Sequence, residues 1–158
     1  MGFMDKLKAA KNSLTGDWAD VSIDVEPAAR GESLTVTATV TVKGEPISTE
    51  GIVVELVCQE EIDIPSATVH EPGSLTSSSQ GSRRATSSAA VFETEVKAAD
   101  PQELAAGLVT TATATVPIPM SAPPTMQGRY ARYEWRVRAR VEMKGNDPDS
   151  GWTDIAVG

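Results

Sequence analysis

The chain has 158 residues, of which 40 % are hydrophobic, so it can build one domain with a buried core and is not disordered throughout. Its formal net charge of −8 disfavours nucleic acid as a partner, because neutralising phosphates requires a clustered basic surface. No segment approaches the ~18 apolar residues of a membrane span, and lysines interrupt any apolar region of the kind a secretory signal needs. We therefore expect a cytoplasmic protein.

The first residues of the chain carry its only helical pattern. Apolar residues recur at helical spacing from Met1 to Leu14, lysines occupy the other side, and Gly16 follows as a stop. This predicts an amphipathic helix over residues 1–16 in front of a domain over residues 17–158. Either the helix docks on its own domain or on a partner subunit, or it lies on an anionic membrane surface. The contact residues would be Phe3, Met4, Lys6, Leu7, Lys8 and Lys11.

From Asp20 onward the hydrophobic period changes from helical to two, which is the period of a strand with one buried face. Leu34 to Val42 shows it most clearly, because aliphatic residues there alternate with threonines. Ile52 to Cys58 is apolar at nearly every position, as in a strand covered on both faces. The pattern predicts an all-β, antiparallel, immunoglobulin-like sandwich of about seven strands, over residues 21–25, 34–42, 52–58, 91–96, 110–118, 130–141 and 152–157.

Two segments between the strands lack this period. Residues 60–88 are rich in Ser, Thr, Gly and Pro, which predicts a long mobile hairpin loop that is either a binding element or a solvated insertion. The only histidine, His70, lies in this loop, and without Cys or another His nearby we expect it to be a surface residue rather than a metal ligand. Residues 100–104 predict a short helical turn, capped by Asp100 with Pro101 in the first position.

No motif in the sequence indicates catalysis, a cofactor or a metal. A Ser/His/Asp order, a nucleophile elbow and a phosphate loop are all absent from the sequence. Asp147 and Asp149 suggest calcium by composition, as does Asp154, but the EF-hand spacing is missing and Pro148 indicates a turn. Cys58 is the only cysteine, which excludes an intramolecular disulfide, and its apolar surroundings predict a buried, inert thiol.

The stretch from Tyr130 to Val141 has the most distinctive pattern. Aromatic and aliphatic residues alternate there with charged ones, so one face of the strand enters the core and the other carries a row of arginines: Arg132, Arg136, Arg138 and Arg140. Two interpretations stay open. The row is an anion patch for phosphate or carboxylate groups of a partner, or it is a solvated face paired with acids on neighbouring strands.

The order of these pieces resembles that of the arrestin-like proteins, in particular one arrestin-type lobe of the bacterial sporulation-control class. The resemblance covers roughly Asp20 to Val157. Proline cannot donate to a strand ladder, so a proline-rich segment that ends one strand and crosses to the next fits this family physically. The matching segments are Val21 to Val25, the Gly31-Glu32 turn with its Thr/Val strand, Ile52 to Leu56, Ile118-Pro119, Ala122 to Gly128 with Thr125 in the usual Ser position, and Tyr133 to Ala139.

The resemblance implies a non-enzymatic adaptor or scaffold that binds a protein partner. The contact would be a sheet edge or the loop over residues 60–88, and the N-terminal helix would supply a second contact with protein or with an anionic membrane. A different class of function also stays open, namely a self-assembling structural subunit in which the helix of one copy docks on the sheet of another.

Overall fold

The computed structural model describes residues 17–68 and 82–158. Within these residues the secondary structure is all β, in ten antiparallel strands, so the fold class predicted from the sequence is confirmed there. The predicted N-terminal helix and His70 lie outside the described residues. The strands are β1 (Ala19–Glu26), β2 (Ser33–Val42), β3 (Ile47–Thr49), β4 (Gly51–Thr68), β5 (Ser82–Ala99), β6 (Gln102–Leu104), β7 (Val109–Pro117), β8 (Met126–Gln127), β9 (Ala131–Glu142) and β10 (Thr153–Ile155).

Two sheets form the sandwich. The first has the strand order β1-β2-β7, and the second has the order β10-β9-β4-β5 with β8 paired to β9. A short third pair joins β3 to β6. The seven strands predicted from the sequence correspond to β1, β2, β4, β5, β7, β9 and β10, whereas the three strands without a prediction are only two or three residues long.

The core lies between the inner faces of the two sheets. On β2 the inner row runs from Leu34 to Val42 and no member is more than 2 % exposed, while the intervening threonines face outward. Ile52, Val54, Leu56 and Cys58 of β4 meet this row from the other sheet, together with the inner row of β9. Fully burying one aliphatic side chain of this size contributes about 1.5–3 kcal/mol, so the alternating rows hold the sheets together.

The turn before β2 is tied to the end of β7. The backbone N–H of Gly31 donates to the carbonyl of Ile118 over 2.8 Å, and the N–H of Ile118 donates to the carbonyl of Glu32 over 2.9 Å. Gly31 has a φ of 80°, a left-handed conformation that glycine adopts without the cost of a side chain. The Gly-Glu turn and the Ile-Pro segment are therefore one structural unit.

The predicted loop over residues 60–88 is wrong for most of its length. Strand β4 continues to Thr68 and β5 begins at Ser82, so these residues form a long antiparallel hairpin whose register shifts near Cys58 and Ile64. A segment rich in Ser and Thr is typical of a loop. A strand ladder, however, needs only the backbone groups of these residues, and the backbone of β4 pairs with them. Residues 69–81 lie outside the described part of the chain.

The predicted helical turn over residues 100–104 is also wrong. Gln102 to Leu104 is the short strand β6, and its register sets Leu104 against Ile47 of β3. Leu104 is 2 % exposed and Ile47 is 4 % exposed, so both belong to the core. Burial of these two side chains outweighs the local capping signal of Asp100 and Pro101.

Candidate functional site

The arginine row of β9 lies on the outer face of the second sheet, and β4 sets carboxylates against it. In the register Glu55 lies opposite Arg138, and Glu61 lies opposite Arg132. Arg138 bonds to Glu55, while Arg132 bonds to both Glu61 and Glu134. Residues directly opposite on one face of an antiparallel pair are the nearest cross-strand neighbours, which explains this pairing.

Arg140 is the centre of the densest charge cluster on this face. Its guanidinium lies 2.7 Å from Asp147, 3.0 Å from Glu95, 3.5 Å from Glu142 and 3.6 Å from Glu55. Partial burial by itself lowers the pKa of Arg140, but the hydrogen bond with Asp147 and the surrounding negative charges outweigh it and raise the pKa above its usual value. The side chain is 20 % exposed, so its charge is screened less than that of a surface arginine.

Arg138 and Arg136 also make contacts that are not ion pairs. The guanidinium of Arg138 lies 4.5 Å from the centre of the half-exposed Trp152 ring, a cation–π contact. Arg136 donates from Nη2 to the side-chain oxygen of Gln59 over 3.2 Å, and its buried Nε has no hydrogen-bond acceptor in the described part of the chain. Three of the four arginines therefore already hold carboxylates. An anion from a partner would compete with them, and the anion patch stays a prediction.

The two long edges of the second sheet differ. Beyond β9 the edge is covered by β8, by β10 and by a bridge between Arg140 and Asp149. Beyond β5 no strand follows among residues 17–68 and 82–158, so one side of an 18-residue strand is unpaired. An unpaired strand edge presents a row of N–H and C=O groups that can pair with another chain. The period of the sequence does not indicate this edge, because the first residues of β5 lie in the segment predicted as a loop.

Half of the β4–β5 hairpin extends beyond the core. Buried core residues end at Cys58 on β4, and on β5 Phe92 packs 5.5 Å from the Trp135 ring. From Phe92 back toward the beginning of β5, all described side chains before Phe92 are exposed except that of Ala85. We call this part, residues 59–68 and 82–90, the projecting half of the hairpin.

A cleft of about 510 Å³ lies where the projecting half meets the turn before β9. The backbone N–H of Asp63 donates to the carbonyl of Tyr130 over 2.8 Å, and both residues line the cleft. Arg84 donates from Nε to Asp63 over 2.7 Å, and this hydrogen bond lowers the pKa of the Asp63 carboxyl. Arg129 stacks on Tyr130 at 5.1 Å. The cleft is therefore polar and open, with charges of both signs in its wall.

The solved structure of Spo0M, a sporulation control protein from Bacillus subtilis, is similar to this architecture. The TM-score is 0.57 at 16 % sequence identity, over 88 % of this chain and 49 % of that chain. This chain has the arrestin-like fold of Spo0M. The resemblance predicted from the sequence is thus confirmed for the fold. This chain spans about half the length of Spo0M, and no family model and no curated protein matches the sequence.

Two ionisable side chains that the sequence singled out, those of Cys58 and Asp147, have structural roles in this sandwich. The thiol of Cys58 is fully buried, and this burial, with the charge of Glu60, raises its pKa to about 11. Asp147 bonds to Arg140 and accepts from the backbone N–H of Met143 over 3.0 Å, as expected of a turn residue. No cluster of three metal-binding side chains occurs in the described ranges, and no helix there is long and apolar enough to cross a membrane.

Proposed function

We propose that this protein is a non-enzymatic adaptor or scaffold domain whose protein partner adds a β-strand to the free edge of β5. The observation that carries the proposal is the 18-residue strand that pairs on one side only. Strand addition joins the two proteins through backbone hydrogen bonds, while side chains along the edge provide specificity.

The projecting half of the hairpin favours such an approach. Its β5 segment from Ala85 to Ala90 consists only of Ala, Ser and Thr, whose small side chains leave the backbone accessible. Natural proteins protect long free edges from pairing with other chains by short strands, prolines or lysines. The edge of β9 is covered in this way by the short strands β8 and β10. Residues 82–96 of β5 contain neither proline nor lysine.

Three side chains of the kind that catalysis uses are paired or buried. The carboxylates of Glu55 and Asp147 bind arginines, and the thiol of Cys58 is protonated and inaccessible at neutral pH. A catalytic acid, base or nucleophile needs access to a substrate and a pKa matched to its task. These groups therefore support a binding role rather than catalysis.

A pair of proline variants tests the edge. Consecutive backbone N–H groups of a strand point to opposite sides, so one of Ser87 and Ser88 presents its N–H to β4 and the other to the free edge. Ser87→Pro is compared with Ser88→Pro, and Ser88→Ala corrects for the hydrogen bond that the Ser88 hydroxyl accepts from Gln59 over 2.6 Å. The proline variant with the smaller corrected loss in melting temperature marks the edge-facing position. We expect that variant to lose partner proteins that the wild-type chain captures from the native cell, as identified by mass spectrometry. Undiminished capture by it would contradict strand addition.

We propose a second contact through the N-terminal segment, on the basis of its sequence. Phe3, Met4 and Leu7 would insert between lipids, while Lys6, Lys8 and Lys11 would lie near anionic headgroups. Vesicles of anionic lipid should then sediment the full chain but not a variant that begins at Gly16, and added salt should reduce the difference. Equal sedimentation of the two proteins would rule out the membrane contact and leave a protein contact for this segment.

A further inference from the structure

We infer that the strand added to β5 is the β5 of a second copy of this chain, paired antiparallel about a two-fold axis near Ser88. The inference rests on the proposed function, since it uses the same free edge and names what occupies it. A two-fold contact brings one surface against itself, so that surface must be self-complementary. Strand β5 meets this requirement in its order of charges.

The charges of β5 change sign along the strand. Arg83 and Arg84 lie near its beginning, Glu93 and Glu95 lie beyond its middle, and every residue from Ala85 to Phe92 is uncharged. Antiparallel pairing about Ser88 sets the basic end of one copy against the acidic stretch of the other, and the symmetry repeats this contact. The central segments then meet through Ala, Ser and Thr, whose side chains allow close approach of the two backbones.

The bulge in β5 brings two of these charges into direct opposition. Cys58 pairs with Phe92 and Gln59 with Ala90, so Val91 is an extra residue on β5. With Ser88 on the axis, Ala90 of one copy faces Thr86 of the other, and the extra residue then sets Glu93 opposite Arg84. Without the bulge, these two residues would lie on different faces of the joined sheet.

Both residues lie on the outer face of the sheet and are accessible. Glu93 pairs in register with Val57, next to the row that contains Glu55, and it has no ion pair within the described residues. Arg84 reaches Asp63 on the same face, and its side chain is 67 % exposed. Asp63 takes the Nε and Nη2 groups of the Arg84 guanidinium, so the Nη1 group can donate to Glu93 of the second copy at the same time.

The free edges of the first sheet do not show this self-complementarity. The exposed row of β1 contains Asp20, Ser22, Asp24 and Glu26, so a second β1 would set acids against acids. The exposed row of β7 consists of Val109, three threonines and Pro117, and it carries no charge. The axis near Ser88 also lies in the projecting half of the hairpin, so the two sandwiches would occupy opposite ends of the joined ribbon.

Charge reversal tests the pairing. Arg84→Glu and Glu93→Arg each create two like-charge contacts in the symmetric dimer, so sedimentation velocity should show self-association at least about tenfold weaker than that of the wild type for each variant. A mixture of the two variants restores opposite charges at both contacts. We therefore expect the mixture to form a heterodimer with an affinity near that of the wild-type dimer.

Arg129→Glu and Glu103→Arg are the controls, because they change the net charge equally at exposed sites outside β5 and should leave the dimer intact. Melting curves of all variants check that each is folded. A monomeric wild type up to about 100 μM, unaltered dimers of both reversal variants, or variants that remain apart when mixed would each overturn the inference. The proposed function would stand, since capture by the proline variants tests strand addition of a different partner independently.

Discussion

The indole N–H of Trp135 donates a 3.0 Å hydrogen bond to the backbone carbonyl of Pro123. Trp135 is 1 % exposed in the middle of β9, whereas Pro123 lies in the proline-rich segment that crosses from β7 to β9. Since prolines cannot pair by backbone N–H, the segment depends on contacts of this kind to be held against the sandwich. The most distinctive strand in the sequence therefore also fixes the segment that precedes it.

Trp135→Phe should lower the free energy of unfolding by about 2 kcal/mol, because it leaves a cavity at the indole site and removes the bond to Pro123. Trp18→Phe is the matched control, since the indole N–H of Trp18 is buried without an acceptor among the described residues. In urea unfolding, the control should lose at least about 1 kcal/mol less of the free energy of unfolding than Trp135→Phe, because it removes an unsatisfied donor. Equal losses in the two variants would mean that the bond to Pro123 contributes nothing.

Arg140→Met should destabilise the fold by about 2 kcal/mol, because it leaves Glu95, Glu142 and Asp147 close together without Arg140 between them, while Glu55 keeps its bond to Arg138. Arg136→Met is the control on the same face, since Gln59 is the only hydrogen-bond partner of the Arg136 side chain among residues 17–68 and 82–158. Urea unfolding measures the free energies of both variants, and a loss for Arg140→Met no larger than that of the control would exclude the electrostatic explanation.

The sequence was sufficient to predict what depends on local alternation. Rows such as Leu34 to Val42 bury one face at every second residue, and Cys58 lies in the core as its apolar neighbours predicted. Residues 118–124 form a crossing because prolines exclude a ladder there. Each of these predictions needs only the period of the chain and the chemistry of one residue type.

The sequence was not sufficient where a distant partner decides the structure. Residues 60–68 belong to the segment predicted as a loop, but they form a strand because β5 and β9 pair with it. Arg132 of β9 also binds Glu61, and Arg84 of β5 binds Asp63. Leu104 likewise becomes part of a strand only because β3 lies beside it. The free edge of β5 follows from the order of the strands in the sheet, which alternation within one strand does not contain.

Gly51→Ala should destabilise the protein by about 3 kcal/mol or more. Gly51 has a φ of 150°, which L residues avoid, and a Cβ there would lie 2.9 Å from the carbonyl oxygen of Ala99. Gly107→Ala is the control, since its φ is 74° and a Cβ there would have no atom within 4 Å, so only the backbone cost of about 1 kcal/mol applies. Similar melting temperatures for the two variants would contradict a close approach of β5 at Gly51.

The thiol of Cys58 should make the stability of the fold depend on pH in the alkaline range. Burial raises its pKa from an ordinary value of 9.0 to about 11, so between these values the unfolded chain releases a proton that the folded chain keeps. Stability from this group is complete below pH 9 and is lost as the pH rises toward 11. Over that range wild type should lose about 2 kcal/mol more than Cys58→Ala, whose side chain does not ionise. Parallel pH profiles, or rapid alkylation of the folded protein at pH 8, would show that the thiol is accessible.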